Sequence, residues 1–192
     1  MHWICCDTAS FSADELKRAY ENMSPSRKEH IDCLHREESK VCSLAAEVLA
    51  QRILKEYYGV TGAKLHRGEN GQPYLTGCEL YVSISHCQQK VACAVSREPV
   101  GIDLERIRPV DLRLCRHICV PEETAYLLGD CRESDDRECR DPEVLFRFFE
   151  IRTAKEAYFK KCGTGITGLK TVNILPLKRK IHRIEDYILQ IL

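Results

Sequence analysis

The sequence has no surplus of either charge: its 192 residues carry 29 Lys and Arg against 29 Asp and Glu, a formal net charge of +0. That balance excludes a broad nucleic-acid-binding face, which needs an excess of basic residues over a wide surface. No stretch approaches the roughly 18 consecutive apolar residues that span a bilayer, so no membrane segment is expected. The opening residues, MHWICCDTASFSADEL, lack the basic leader, apolar run and small-residue cleavage pattern of a secretory signal, and a cytoplasmic protein is expected. Low-complexity tracts and short repeats are missing too. So are a glycine-rich phosphate loop, a nucleophile elbow and a paired-histidine metal motif.

What is present is ordinary for a folded chain, at 44% hydrophobic and 30% charged residues, except for 12 cysteines. Without an export signal they do not read as a disulfide scaffold. Structural zinc needs recurring short spacings. The nearest pattern is Cys115, His117 and Cys119 with Cys131 and Cys139 beyond, and it contains no Cys-x-x-Cys knuckle. Small buried hydrophobes in a reducing compartment is the simpler reading. The densest basic run, Lys178-Arg179-Lys180 followed by His182 and Arg183, reads as solvated surface.

Periodicity divides the chain into alternating blocks. Ser12 to Glu21, Ser24 to Glu38 and above all Ser39 to Tyr58 read as helices, with Gly59 as a stop. Strands are expected at Ala63 to Arg67, Leu80 to Ser85, Val91 to Val95 and Val100 to Glu105, with a turn over Glu69 to Pro73. Pro121 opens a short helix, Cys131 to Pro142 reads as a mobile loop, and Glu143 to Lys161 is a second strong helix ended by Gly163. Short strands follow near Thr171 to Ile174, Lys180 to Ile184 and Tyr187 to Leu192. Helices then strands, twice over, imply an α+β protein of two similar halves, 1–100 and 101–192.

Three groups of residues could carry chemistry. Asp103 and Glu105 lie two apart on an otherwise apolar strand and so share a face. Burying them unpaired is costly, and a divalent cation or Arg106 and Arg108 would relieve that cost. Glu156 and Lys160 lie four apart on one helix face, the spacing of a routine ion pair or of a metal-and-phosphate pair. His86, closing Ser83-Ile84-Ser85-His86 at a strand end, is a suitable phosphate donor or a plain structural histidine.

Taken together, Gly71-Gln72-Pro73, Val-Ser-Ile-Ser-His ending at His86, Val-Gly-Ile-Asp-Leu-Glu ending at Glu105, and Lys-Glu-Ala-Tyr-Phe-Lys ending at Lys160 occur in an order that resembles the 4'-phosphopantetheinyl transferase superfamily. The resemblance is to its longer monomeric type, which serves nonribosomal peptide and polyketide synthases, and it runs from about Ser24 to Leu177. It implies two α+β halves related by a pseudo-twofold, with coenzyme A bound between them. It also implies a magnesium-dependent transfer of phosphopantetheine to a serine of an acyl or peptidyl carrier protein. By the same resemblance Asp103, Glu105 and Glu156 would hold the magnesium and His86 the 3'-phosphate of coenzyme A. Ser85, Gly71, Gln72, Pro73 and Lys160 would make further coenzyme contacts, with Arg27 or Lys28 as a basic neighbour. Glu156 would be the base for the serine proton, and Lys160 would stabilise developing charge.

The chain departs from the family pattern at three places. Arg152 stands where Trp is common, Gln72 where Lys precedes Pro, and Val82-Ser83 where a polar residue such as Asn begins the strand-end motif. The Trp loss is expected to touch packing more than chemistry, and the Lys loss to lower coenzyme affinity. Two other readings are a non-catalytic coenzyme A-binding relative with a regulatory role, favoured by those departures, and a zinc-binding interaction module built on the cysteines.

Overall fold

A computed structural model describes residues 1–129, 138–165 and 168–192. The chain opens on strand β1 (His2–Asp7), followed by helices α1 (Ala13–Asn22), α2 (Pro25–Asp32) and α3 (Glu37–Tyr58). Ser12 and Glu15 close α1 with a reciprocal capping box, the Ser12 hydroxyl accepting from the Glu15 amide at 3.2 Å and the Glu15 carboxylate accepting from the Ser12 amide at 2.9 Å. Gly59, at φ 65°, ends α3 in the left-handed conformation that glycine takes without a Cβ penalty. Strands β2 (Lys64–Arg67), β3 (Pro73–Thr76), β4 (Tyr81–Cys87) and β5 (Lys90–Ser96) complete the first half of the sequence.

Strand β6 (Ile102–Arg106) leads into α4 (Cys115–Ile118), α5 (Pro121–Leu128) and the long α6 (Pro142–Cys162), and strands β7 (Lys180–Ile184) and β8 (Tyr187–Ile191) end the chain. Asp141 caps α6 by accepting from the amides of Glu143 and Val144 at 2.9 and 3.0 Å, with Pro142 at the favoured first-turn position.

The architecture is α+β. One antiparallel sheet has the order β1-β5-β4 and another β6-β8-β7, while β2 and β3 form a separate hairpin. The two sheets share a connectivity: the strand before the long helix and the two strands after it, the last in the centre. α3 packs on the first sheet through Ala46, Leu49, Ala50 and Ile53, and α6 on the second through Ile151 and Ala154 with Ile188. Between the sheets, Ala92, Ala94, Ile102, Leu104, Leu189 and Ile191 form a third apolar cluster. The seam is also stitched by hydroxyls, since Ser83 and Ser85 of β4 accept from the amides of Ile102 and Leu104 in β6 at 3.0 and 3.2 Å.

Several expectations are corrected. His2 to Asp7, to which the sequence assigned no element, form a strand. β1 lies at a sheet edge on β5 and is half-buried from Trp3 to Asp7, so it lacks the alternation that marks a strand in sequence. The helix expected from Ser24 to Glu38 stops at Asp32, and α3 starts at Glu37. No strand forms at Thr171 to Ile174, because a buried ion pair captures that backbone. Lys155 Nζ donates to the carbonyls of Leu169 and Val172, both at 2.8 Å, and the Glu123 carboxylate accepts from the Ile174 amide at 2.8 Å. The loop expected from Cys131 to Pro142 falls largely outside the described residues.

Candidate functional site

The Gly-Ile-Asp-Leu-Glu block is pressed against α6. A Cβ on Gly101 would sit 1.8 Å from the Ala157 carbonyl oxygen, so only glycine allows β6 to start this close to the helix. The close approach brings three carboxylates to one place. Asp103 is buried at 2% exposure. Its Oδ1 accepts from the Ser85 hydroxyl at 2.8 Å and from Lys160 Nζ at 2.7 Å, and Lys160 also reaches the Ile102 carbonyl at 3.2 Å. The other oxygen, Oδ2, is buried with no hydrogen-bond partner. An orphaned carboxylate oxygen of this kind is costly and marks a place for a cation.

Glu105 and Glu156 are joined through Arg152. Its Nη2 lies 2.9 Å from Glu105 Oε1 and its Nε 3.1 Å from Glu156 Oε1. Arg108 adds a contact to Glu105 Oε2 at 3.3 Å. Burial first, and Asp103 second, push the Glu156 carboxyl up from its ordinary value, while Arg152 and Lys160 pull the other way. The donor chemistry, three carboxylates with one free buried oxygen, fits a hard divalent cation. Yet among the described residues no three His, Cys, Asp or Glu side chains are gathered so as to hold a metal ion as they stand. The carboxylates are instead tied down by Arg152 and Lys160.

Beyond Ser85, the next residue of β4 projects from the opposite face. His86 there lines a recess of about 190 Å3 with Arg27, His30, Ser43, Arg67 and Gly71. Arg27 donates to the Ser43 carbonyl at 3.1 Å and lies 3.6 Å from Glu47, an ion contact rather than a hydrogen bond. Arg67 Nη1 is 3.2 Å from His30 Nε2. The Gly71 turn, at φ 77°, lets Arg67 lie where a side chain would collide, 2.9 Å from the site of a Cβ. Removal from water, then Lys160 and Arg27, hold His86 below its ordinary pKa against the pull of Asp103. His30 is lowered by the same loss of water, then by Arg67, Arg27 and His86. Four basic side chains around a small recess are self-repelling, and an anion would settle them.

Of the residues singled out in the sequence, Asp103, Ser85 and Lys160 form one hydrogen-bonded group, and Arg27, Gly71, Pro73 and His86 line the recess. Glu156 and Lys160 do not pair with each other, since each takes a partner on or near β6 or on α6 itself. Lys28 turns away, donating to the Glu21 carbonyl at 2.9 Å and lying over the Tyr20 ring. Gln72 donates to the Lys160 carbonyl at 2.8 Å, linking the turn to the end of α6. Arg152 corrects the packing expectation, because it bridges two of the three carboxylates. His30 and Arg67 escaped sequence reading. His30 falls three residues after Arg27 on α2, one helical face, but Arg67 carries no motif signal. Cys115, Cys119 and Cys139 are buried among apolar residues of the second core cluster, and Cys131 lies outside the described residues.

A family model described as the 4'-phosphopantetheinyl transferase superfamily matches residues 99–188. The 4'-phosphopantetheinyl transferase gsp of Aneurinibacillus migulanus is 29% identical over 126 residues, 65% of this chain and 49% of that protein. A 4'-phosphopantetheinyl transferase of Bacillus subtilis is 25% identical over 179 residues, 91% of this chain and 72% of that protein. The 4'-phosphopantetheinyl transferase HetI of a Nostoc species is 30% identical over 175 residues, 86% of this chain and 65% of that protein. The chain thus spans between about half and three quarters of the length of these relatives. Over most of its length the chain is similar to 4'-phosphopantetheinyl transferases, and over residues 99–188 to the model of that superfamily.

Proposed function

We propose that this chain transfers the phosphopantetheine arm of coenzyme A to a serine of an acyl or peptidyl carrier protein, with magnesium, and releases 3',5'-ADP. The observation that supports this most is the pairing of two complementary charge groups on one strand, β4. Ser85 reaches the carboxylate group of Asp103, and His86 faces the cationic recess. A nucleotide bearing both a pyrophosphate and a separate phosphate needs two such places. In this reading the seam between halves 1–100 and 101–192 holds coenzyme A. Arg27, His30, Arg67 and His86 take the 3'-phosphate, and the turn at Gly71, Gln72 and Pro73 lies alongside.

Asp103, Glu105 and Glu156 would hold the magnesium, which when bound would offset the charge of the pyrophosphate. The carrier serine Oγ attacks the β-phosphorus, the bond from that phosphorus to the bridging oxygen breaks, and 3',5'-ADP leaves with the electron pair. Glu156 takes the serine proton directly or through a water, a task suited to a carboxyl raised by burial and by Asp103. Lys160, on Asp103 at 2.7 Å, steadies negative charge on the transferred group. Catalysis rests on positioning and charge rather than on covalent work by the protein.

A cytoplasmic monomer fits this role. No helix among the described residues is long and apolar enough to cross a membrane, and the eleven described cysteines are unpaired, as a reducing compartment would keep them. Intact-mass measurement of apo carrier proteins incubated with the chain, coenzyme A and magnesium tests the proposal. The expected result is a gain of one phosphopantetheine, lost with Asp103→Ala or Glu156→Ala. Coenzyme A binding with no gain on a fatty-acid-type or a peptidyl-type carrier would favour the non-catalytic relative, and neither binding nor gain would overturn both.

A further inference from the structure

We propose that Arg152 is a built-in counter-cation, competing with the divalent metal for Glu105 and Glu156 and so setting how tightly this chain holds it. The inference rests on the magnesium reading of the carboxylate group. Arg152 spans two elements, with Nη2 at 2.9 Å from Glu105 Oε1 on β6 and Nε at 3.1 Å from Glu156 Oε1 on its own helix. One guanidinium occupies an oxygen of each of the two carboxylates, using the planar fork that suits arginine to such pairs. These contacts are shielded, with side-chain exposures of 27% for Arg152, 14% for Glu105 and 16% for Glu156, so water screens them less than it would a surface bridge.

The charge balance points the same way. Asp103 already has Lys160 on Oδ1, and Glu105 has Arg108 on Oε2 as well as Arg152 on Oε1. Three carboxylates are thus met by three cationic side chains, which leaves little net attraction for a metal. Oδ2 of Asp103 is buried without a hydrogen-bond partner. A cation that recruits Glu105 and Glu156 in addition competes with the guanidinium for Oε1 of each. Arg152 is partly exposed and has a flexible stem, so it can swing to solvent. An uncharged residue at 152 could not compete in this way. This is also why the carboxylates are close yet not gathered as a metal site in the free chain.

The test is direct binding of Mn2+, which reports on a magnesium site by loss of the free-ion electron paramagnetic resonance signal, with no coenzyme A or carrier present. Arg152→Met is expected to bind Mn2+ about tenfold more tightly than the unaltered chain, the size of an ordinary coupling between two ligands of one site. Arg108→Met, which removes an equally charged neighbour of Glu105 but no bridge, is expected to change affinity by less than about twofold. Equal affinities for Arg152→Met and the unaltered chain would overturn the proposal while leaving the magnesium reading standing. So would an Arg108→Met effect as large as that of Arg152→Met. Failure of all three proteins to bind Mn2+ would overturn both readings. Should Arg152→Met not unfold cooperatively, Arg152→Gln serves instead: it keeps a polar side chain without the charge, and unchanged Mn2+ affinity there overturns the proposal.

Discussion

The two three-stranded sheets have the same connectivity and carry one long helix each, but their interiors differ in kind. Where α3 meets its sheet the packing is almost wholly apolar, with Ala45, Leu49, Ile53, Val91 and Val95 buried. A buried ion pair beside it, Arg27 with Glu47, is loose at 3.6 Å, and burial pushes the Glu47 carboxyl up despite Arg27. Around α6 the charges are tight and numerous: Lys155 with Glu123 at 2.6 Å, Arg179 with Glu150 at 2.7 Å, and Lys160 with Asp103 at 2.7 Å. The strand connectivity recurs while the charges do not. The first unit presents cations to the recess, and the second presents carboxylates to the seam.

The largest break in that comparison should come from Lys155. Its ammonium and the Glu123 carboxylate are both at 0% exposure, and they replace a strand as hydrogen-bond partners for residues 169–174. Lys155→Met leaves Glu123 charged, buried and without its cation, and should cost about 3–5 kcal/mol. Urea unfolding monitored by circular dichroism measures it. A loss below about 1 kcal/mol would mean that the pair is not what holds that segment.

Next in size is Gly101→Ala. The added methyl would meet the Ala157 carbonyl oxygen at 1.8 Å, and backbone inside a helix cannot step aside as a side chain can. Separating β6 from α6 should cost about 1–3 kcal/mol and weaken transfer further, because Asp103 and Glu105 move with the strand while Glu156 and Lys160 stay. Full stability with unchanged transfer would show that the strand has room the geometry denies.

How much of this could be read in the sequence follows the same division. Long helices with stop signals were legible, as at Gly59 and Gly163, and so were β4, β5 and β6 with their apolar runs, but the Asp141–Pro142 start of α6 reads as loop in the sequence. The motif residues Asp103, Glu105, Glu156, His86 and Lys160 were legible because order and spacing carry them. Partner choice was not. Period-four spacing on α6 suggests a Glu156–Lys160 pair, but Lys160 reaches across to Asp103 and Glu156 takes Arg152, since β6 brings other charges within range. The edge strand β1 and the segment at 171–174 were misread for a related reason. The first is defined by a neighbour far along the chain, as in Trp3 opposite Ala94, and the second by side chains of a helix. Arg67 belongs to the recess only because the Gly71 turn folds back over it.

The smallest effect sharpens the comparison through pH. In the free chain His86 and His30 are both held below their ordinary value of 6.5, chiefly by removal from water and then by the surrounding cations. Folding therefore favours their neutral forms. The stability they contribute is fully present above about pH 6.5 and is lost as pH falls through the lowered values. An anion in the recess reverses that preference by pairing with the imidazolium, so binding should take up protons. Coenzyme A should then bind a few-fold more tightly at pH 6 than at pH 7.5, whereas dephospho-coenzyme A, which lacks the 3'-phosphate, should gain much less. Calorimetry in two buffers of different ionisation enthalpy counts the protons. His86→Gln should reduce the uptake, while changes at the carboxylate seam such as Arg108→Met should leave it alone. Equal pH responses for the two ligands would move the phosphate away from the recess and break the assignment of cations to one unit and carboxylates to the other.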